Sequence, residues 1–294
     1  MEPQRYGPFP YSPINRRPKL EWPNGARIAL CVTPNIETFS LNEKMPGGAG
    51  SSGGIIPDVN VWSRRDYGAR IGIFRIMEVL ERHGIRATAA LNADTCDLYP
   101  EIVEDAIKLN WELMGHNESN TRRLNSVPAS EELGIIQRSL ARITKATGKR
   151  PTGWLSSGMQ QSWNTLDFLI QEGISYVADW VNDDQPYTMT LPAGQIVAFP
   201  YSAEANDRRV YDSLHYTAEE FETLLKRQFD VLYREGAQSG RVMSIALHPF
   251  LSGTPHRIDA VDGALRYICA HEGVWLATGS EIVNHFKSRI QPPG

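Results

Sequence analysis

The sequence has few cysteines, no long apolar run and no excess of charge of one sign. Three cysteines among 294 residues exclude a disulfide scaffold and favour a reducing, cytoplasmic compartment. No segment approaches the ~20 apolar residues of a membrane helix, and the N-terminus lacks the apolar core of a signal peptide. The 30 basic and 34 acidic residues are intermixed, which argues against a nucleic-acid binder. We therefore expect a soluble cytoplasmic protein that acts on a small molecule, without a nucleic-acid or membrane partner.

Two cofactor-binding motifs are also missing. There is no phosphate-binding G-x-x-x-x-G-K-[ST] loop, and the glycines at 47–50 lack the strand, turn and helix that surround a dinucleotide fingerprint. Phosphate and nicotinamide chemistry are therefore disfavoured.

Short apolar runs rich in β-branched residues alternate with amphipathic helical patterns along most of the chain. The runs predict buried strands at 27–33, 88–91, 112–116, 152–155, 176–180, 196–200, 242–247 and 274–277. This alternation predicts a parallel α/β fold, most economically a (β/α) barrel with about seven or eight strands. We assign residues 23–294 to a single barrel domain and residues 1–22 to a proline-rich arm. The arm wraps the barrel or a neighbouring subunit, so we expect a homo-oligomer.

A glycine- and proline-rich segment, residues 39–62, interrupts the alternation. It is too long for an ordinary connector in a compact domain. It is either a surface insertion or a lid, since a loop that follows the first strand rises from the C-terminal face of a barrel, where such folds keep their sites.

Polar and aromatic residues stand where the predicted strands end. These ends converge on one mouth in a (β/α) barrel, and unpaired polar groups buried there need a reason. The candidates are Asn35 and Glu37 after the first strand, His116, Asn117, Glu118 and Asn120 after the third, Trp154 in the fourth, Trp180 ending the fifth and His248 after the seventh. Each alone could be an ion-pair partner or a core residue. Their coincidence at several strand ends favours a catalytic site.

His116 raises the question of a metal. A catalytic zinc needs three protein ligands, and a histidine four residues further on would supply one, but that residue is Asn120. Glu37, His116 and either His248 or Glu118 form a set without diagnostic spacing. We predict no metal and no other cofactor, and keep a divalent metal at His116 as the alternative.

Ordered matches to one family run through most of the chain. They include 22–23 with 26–30, 67–70 with Arg75, 115–116, 150–154, 164–165, 183–187, 200–201 with 206–207, 229–233 and 244–248. Over roughly residues 22–275 the chain resembles the polysaccharide deacetylase (NodB-like) family, and within it the branch of metal-independent allantoinases and cyclic-imide hydrolases. The resemblance implies a distorted (β/α) barrel of about seven strands and hydrolysis of an amide C–N bond. It also adds Arg70 to the candidate substrate-binding residues.

The resemblance bears on the metal and on the substrate. In metal-dependent deacetylases the first strand ends in an acidic base followed by an acidic ligand, and the third ends in His-x-x-x-His. This chain has Glu37 and Thr38 at the first pair and His116 and Asn120 at the second, so two of three ligands are replaced. The flanking residues also differ from the allantoinase branch, so we expect a small cyclic amide, imide or formamide other than allantoin.

Amide hydrolysis needs an activated water, a stabilised oxyanion and a proton for the leaving nitrogen. We predict that Glu37 is the general base, with a pKa raised by an apolar wall and by Glu118. His248 would donate the proton, and His116 would polarise the carbonyl or hold the water. The substrate would be bound by Asn35, Arg70, Asn117, Glu118 and Asn120 and stacked between Trp154 and Trp180. The alternatives are a metal-dependent deacetylase of an N-acetylated sugar and a non-catalytic barrel that binds a ring compound.

Overall fold

The computed structural model describes residues 5–46 and 54–290, and its strands in those ranges form one nine-stranded sheet. The strands are Ile28–Ile36 (β1), Thr88–Leu91 (β2), Glu112–Gly115 (β3), Gly153–Trp154 (β4), Tyr176–Val177 (β5), Tyr187–Leu191 (β6), Gly194–Ala198 (β7), Arg241–Leu247 (β8) and Val274–Leu276 (β9). Their order is β6-β7-β5-β4-β3-β2-β1-β8. The first residues of β1 pair with β9 and its last residues with β2. Every pairing is parallel except β6 with β7.

Helices occupy the connections between the strands. They are Val59–Tyr67 (α1), Ile73–Arg82 (α2), Thr95–Leu98 (α3), Pro100–Lys108 (α4), Ala129–Thr147 (α5), Thr165–Gln171 (α6), Ala218–Gly236 (α7), Pro249–Ser252 (α8), Ile258–Cys269 (α9) and Gly279–Ile290 (α10). The resulting half-barrel of parallel strands with surrounding helices is the predicted distorted (β/α) barrel.

One strand was not predicted. β6 forms an antiparallel hairpin with β7, in register from Tyr187 with Ala198 to Leu191 with Gly194. Its residues alternate between partly exposed and buried positions. The pattern therefore lacks the continuous apolar run by which the buried parallel strands are recognised.

Alternation along the strands decides which residues reach the barrel interior. On β1, Ile28, Leu30 and Val32 pack outward in the core beneath the helices, while Ala29 and Cys31 pack in the inner core. Successive side chains of a strand point to opposite faces. Asn35 and Glu37 lie an even number of residues after Ala29. Their side chains are therefore directed to the same inner face, at and just beyond the end of the strand.

The same alternation applies to β3 and β8. Met114 of β3 packs in the inner core, so His116, two residues further on, shares its face. Val242 and Ala246 of β8 also belong to the inner core, and His248 follows with the same parity. The local sequence of three separate strands thus aims these side chains at one point.

Glycine at position 115 permits the close packing of β3 against β4. A Cβ built at Gly115 would lie 2.6 Å from the ring of Trp154. Trp154 is fully buried and packs outward, among the residues of α5 and α6. The indole fills the space beside the backbone that presents His116.

Helix α1 begins inside the predicted loop 39–62. The side chain of Asp58 accepts a hydrogen bond from the backbone N–H of Val61, an N-terminal cap that starts the helix at Val59. Residues 47–53, which carry most of the glycines of this segment, lie outside the described residues, so the lid stays a prediction. Within the described ranges, no helix combines the length and the apolar character that crossing a membrane requires.

The described part of the arm, residues 5–22, packs along the barrel. Arg17 forms a two-pronged ion pair with Asp183, at 2.7 and 2.6 Å. Trp22 is 2% exposed and donates from Nε1 to the carbonyl of Arg241 at 2.9 Å. These contacts hold the arm to the loop after β5 and to the start of β8.

Candidate active site

Three strands each deliver one side chain to the same cavity. Glu37 follows β1, His116 follows β3 and His248 follows β8. Both imidazoles place Nε2 3.7 Å from Oε1 of Glu37, and all three side chains are at most 7% exposed. They line a cavity of about 220 Å³. The structure therefore brings the three predicted catalytic residues together.

A buried carboxylate orients the ring of His248. Oδ1 of Asp207 accepts a hydrogen bond from Nδ1 of His248 at 2.6 Å. Its Oδ2 accepts one from the backbone N–H of His248 at 2.7 Å and one from the hydroxyl of Ser252 at 2.6 Å. Because Asp207 holds the proton on Nδ1, Nε2 is the nitrogen that faces Glu37 and the cavity. An imidazole fixed in this way by a carboxylate is suited to proton transfer.

A backbone carbonyl orients His116. Its Nδ1 donates to the carbonyl oxygen of Leu155 at 2.5 Å, so the neutral ring carries its lone pair on Nε2. This Nε2 atom is buried, and no group among the described residues forms a hydrogen bond with it. It is placed to accept a hydrogen bond from a molecule in the cavity.

The charges around Glu37 reverse the predicted shift of its pKa. Burial by itself raises the pKa, but the neighbouring His248, His116 and Arg208 outweigh burial and lower it from 4.5 to about 2. Glu118, which was expected to raise it, instead pairs with Arg138 at 2.8 Å, outside the cavity. Glu37 is therefore ionised at neutral pH and can accept hydrogen bonds.

Asn120 forms a further hydrogen bond with Glu37. Its Nδ2 donates to Oε1 of Glu37 at 2.6 Å, so this amide acts as a hydrogen-bond donor at the position where the resemblance would place a histidine ligand. Thr38, at the second acidic position, keeps a buried hydroxyl. Within the described ranges, no group of three or more His, Cys, Asp and Glu side chains is arranged to hold a metal ion. The donor set does not fit a catalytic metal, and we derive no step through one.

A second polar pair lies in the cavity lining. Nδ2 of Asn35 donates to the hydroxyl of Tyr201 at 3.0 Å, and both residues line the cavity. Asn35 thus lies in the cavity lining, and its role in substrate binding stays a prediction. Desolvation by burial raises the pKa of Tyr201, which keeps its hydroxyl protonated and able to donate.

The two tryptophans do not flank the cavity. Trp154 belongs to the outer core, where its Nε1 donates to Ser156 at 3.1 Å. Trp180 stacks edge-on against Phe9 of the arm, with ring centroids 5.5 Å apart. The predicted sandwich of a flat ring is therefore wrong, because Trp154 faces away from the barrel interior and Trp180 faces the arm.

Three other predicted binding residues also lie outside the cavity lining. The side chain of Arg70 is 73% exposed and lies 4.0 Å from Asp66. The side chain of Glu118 is turned away toward Arg138. Asn117 adopts a left-handed backbone conformation, φ 58°, and its amide donates to the carbonyl of Arg122 at 3.2 Å. Asn117 therefore shapes the loop after β3, and the structure does not bring it to the site.

The polar and charged residues of the site that were not among the predicted ones include Tyr201, which lines the cavity; Arg208 and Arg123, which line it with positive charge; and Asp207, which holds His248. Tyr201 and Asp207 fall in segments that carry the family resemblance, and this was the available signal. The sequence contained no signal for the two arginines, because an arginine in a polar segment is usually exposed to solvent.

Comparisons with known proteins agree with this architecture. No family model matches the chain. A Schizosaccharomyces pombe protein that is assigned by name to the polysaccharide deacetylases is 26% identical over 94% of each chain. The crystal structure of Puue allantoinase superposes with a TM-score of 0.88, at 26% identity, over 95% of this chain and 96% of that one. A probable polysaccharide deacetylase from Pseudomonas aeruginosa gives a TM-score of 0.87, at 26% identity, over 95% and 97%.

These likenesses confirm the predicted resemblance to the polysaccharide deacetylase family and the predicted fold. They extend over nearly the whole chain, so the segments that hold Glu37, His116 and His248 lie within the shared architecture.

Proposed function

We propose that this protein is a hydrolase of non-peptide C–N bonds that opens a small cyclic amide or imide. The observation that carries the proposal is the contact of one ionised carboxylate, Glu37, with two imidazole Nε2 atoms at 3.7 Å in a small cavity. A base that activates a water and a donor that protonates the leaving nitrogen are two of the groups that amide hydrolysis requires, and Glu37 and His248 can supply them. The likeness to Puue allantoinase supports C–N bond hydrolysis as the class of reaction.

The hydrogen bonds of the site assign a role to each group. A water that donates one proton to Glu37 and the other to Nε2 of His116 is left with a lone pair to attack the carbonyl carbon. As the C–O bond forms, Glu37 takes the proton of the water. His248, protonated on both ring nitrogens for this step, then donates its Nε2 proton to the ring nitrogen as the C–N bond breaks. This step leaves a ring-opened acid, and the proton held by Glu37 passes back to Nε2 of His248. Because Nδ1 of His116 already donates to Leu155, this arrangement favours holding the water over polarising the carbonyl.

The oxyanion of the tetrahedral intermediate needs positive charge or donors nearby. Arg208 lines the cavity and contributes to the low pKa of Glu37, so its charge is felt at the reacting centre. Tyr201 adds a hydroxyl to the cavity lining. We assign oxyanion stabilisation to these two residues.

The size of the cavity favours a small substrate. Its volume of about 220 Å³ lies below the ~300–1,000 Å³ that is typical of pockets for larger ligands. A single ring fits such a space more readily than a sugar of a polymer chain. Relatives named as deacetylases nevertheless make the deacetylation of an N-acetylated sugar the second candidate.

Turnover of a substrate panel tests the proposal. The purified protein, dialysed against a chelator, would be incubated with hydantoin, dihydrouracil, succinimide, allantoin and an N-acetylglucosamine oligomer, and products would be separated by liquid chromatography. We expect ring opening of at least one cyclic compound, and its loss in Glu37→Gln. Release of acetate from the oligomer, with no ring opened, would replace the proposal by the second candidate. Binding of a ring without turnover would favour a non-catalytic barrel.

A further inference from the structure

One arginine on the rim of the cavity has no ion-pair or hydrogen-bond partner for its guanidinium among residues 5–46 and 54–290. Arg123 lies in the loop after β3 and lines the cavity together with Glu37 and His116. Its side chain is exposed, and its guanidinium forms no ion pair or hydrogen bond with the part of the chain that the structure describes. A guanidinium offers five N–H donors in a fork that matches a carboxylate. The mechanism above does not use this group.

The surroundings of Arg123 hold it in this position. Its carbonyl accepts hydrogen bonds from the backbone N–H of Ser126 at 3.0 Å and from the Ser126 hydroxyl at 2.7 Å. Its side chain lies against Gly158, where an added Cβ would stand 3.0 Å from Nε and 3.2 Å from Cζ of the arginine. Gly158 also has φ +65°, a conformation that favours glycine. The loop is therefore shaped to let the guanidinium lie across it.

The preceding residue provides a contrast. Arg122 does not line the cavity and pairs with Glu43 at 2.9 Å, as an exposed arginine commonly does. Arg208, the other cationic side chain of the cavity lining, lies 3.5 Å from Asp212. Of these three arginines, only Arg123 lacks a carboxylate of the protein, among the described residues, within ion-pair distance.

From this contrast we infer that Arg123 binds a carboxylate group of the substrate, so that the preferred substrate is an anionic cyclic amide or imide. The inference rests on the proposed function, because it assigns the ring to the site of Glu37 and the substituent to the rim. The anionic end is thereby kept apart from the Glu37 carboxylate, and only a substrate long enough to reach the rim gains the contact. Arg123 then determines specificity and takes no part in the bond-breaking step.

Matched pairs of compounds test the inference. Hydantoin-5-acetic acid would be compared with hydantoin-5-acetamide, and an N-carboxymethyl imide with its amide, because each pair differs in charge and little in shape. Both kcat and KM would be measured, together with binding by calorimetry. We expect kcat/KM to favour the acid by about tenfold, through KM, since a partly solvated charged hydrogen bond contributes on that order. The preference should shrink at high ionic strength because salt screens an exposed pair.

Two variants of Arg123 and one of Arg122 decide whether Arg123 is responsible. In Arg123→Gln the preference for the acid should disappear, and in Arg123→Lys it should be only partly retained, since lysine keeps the charge without the fork. Arg122→Gln, which removes a neighbouring exposed charge outside the cavity, should leave the preference intact. Equal loss in Arg122→Gln and Arg123→Gln would overturn the inference, because it would show a general effect of charge.

The outcomes separate this inference from the proposed function. Turnover of neutral rings without any preference for the acids would overturn the role of Arg123 and leave the proposed function standing. Binding of the acids that depends on Arg123, without turnover of any ring, would support the anion site and overturn the proposed hydrolysis. Binding of none of the acids would overturn the inference.

Discussion

Replacing Asp207 by asparagine should invert the tautomer of His248. Oδ2 of Asp207 faces two donors, the His248 N–H and the Ser252 hydroxyl, whereas Oδ1 faces only Nδ1. The amide oxygen of an asparagine would therefore stay with the two donors, and its NH₂ group would face Nδ1. That nitrogen would have to accept a hydrogen bond, which moves the ring proton to Nε2 and removes the carboxylate that supports a positively charged ring.

A neutral imidazole is a much weaker acid than an imidazolium, so proton donation to the leaving nitrogen should suffer. We expect kcat for Asp207→Asn to fall by about 10²–10⁴-fold, the range for losing a positioned acid or base or its orienting carboxylate. The assay is steady-state turnover of the best substrate, with circular dichroism to verify folding. Ser252→Ala is the matched control, because it removes one hydrogen bond to Oδ2 and leaves Nδ1 paired. A folded Asp207→Asn protein with kcat within about threefold of wild type, well short of that range, would refute the role given to His248.

Further predictions concern the base, the metal and the fold. Glu37→Gln should lower kcat by at least about a hundredfold, measured with the same substrate. The lowered pKa of Glu37, about 2 against 4.5, means that its ionised form stabilises the fold by roughly 3 kcal/mol above about pH 5, a contribution lost as the pH falls toward 2. Urea titrations should therefore show the free energies of unfolding of wild type and Glu37→Gln converging as the pH falls, and a constant difference would contradict the shift. Activity should survive chelation and dialysis, whereas loss restored by Zn²⁺ would show a metal site. Gly72→Ala should destabilise the protein by about 2 kcal/mol or more, because its Cβ would lie 2.1 Å from the Pro249 carbonyl, while Gly134→Ala, whose Cβ meets only the end of the Arg138 side chain, should be tolerated.

The convergence of Glu37, His116 and His248 could be predicted from the sequence. Both the position at which a strand ends and the alternation of side chains along it can be read from the local sequence. In the structure each residue follows the last residue of its strand by one position, and parallel strands deliver their ends to one edge. The same alternation counts against Trp154, which stands next to the inward-facing Leu155 and therefore faces outward. A position near a strand end predicts that a residue lies at the edge of the sheet where the site is. Whether its side chain enters the barrel depends on the alternation of inward and outward side chains along the strand.

Partners that are distant in sequence could not be predicted in this way. Asp207 is 41 residues from His248 and stands at the start of a short helical segment between β7 and α7, so no periodicity connects the two residues. Glu118 was expected near Glu37, but an arginine on α5 draws it outward. The sign of the Glu37 pKa shift depended on these placements, since burial and neighbouring positive charges act in opposite directions and only the three-dimensional arrangement decides which is larger.

The low pKa of Glu37 changes how the three groups share the reaction. A carboxylate with a pKa of about 2 is always ionised at neutral pH but binds a proton weakly, and each pKa unit corresponds to about 1.4 kcal/mol. A low pKa weakens Glu37 as a base, so the placement of the water counts for more in the step in which Glu37 takes the proton of the water. Asn120 and the His116 lone pair serve that placement, the first by fixing one carboxylate oxygen and the second by accepting the other proton of the water. Catalysis that relies on position more than on basicity should depend more on the orientation of His248 than on the proton affinity of Glu37, so the loss in Asp207→Asn should equal or exceed the loss in Glu37→Gln.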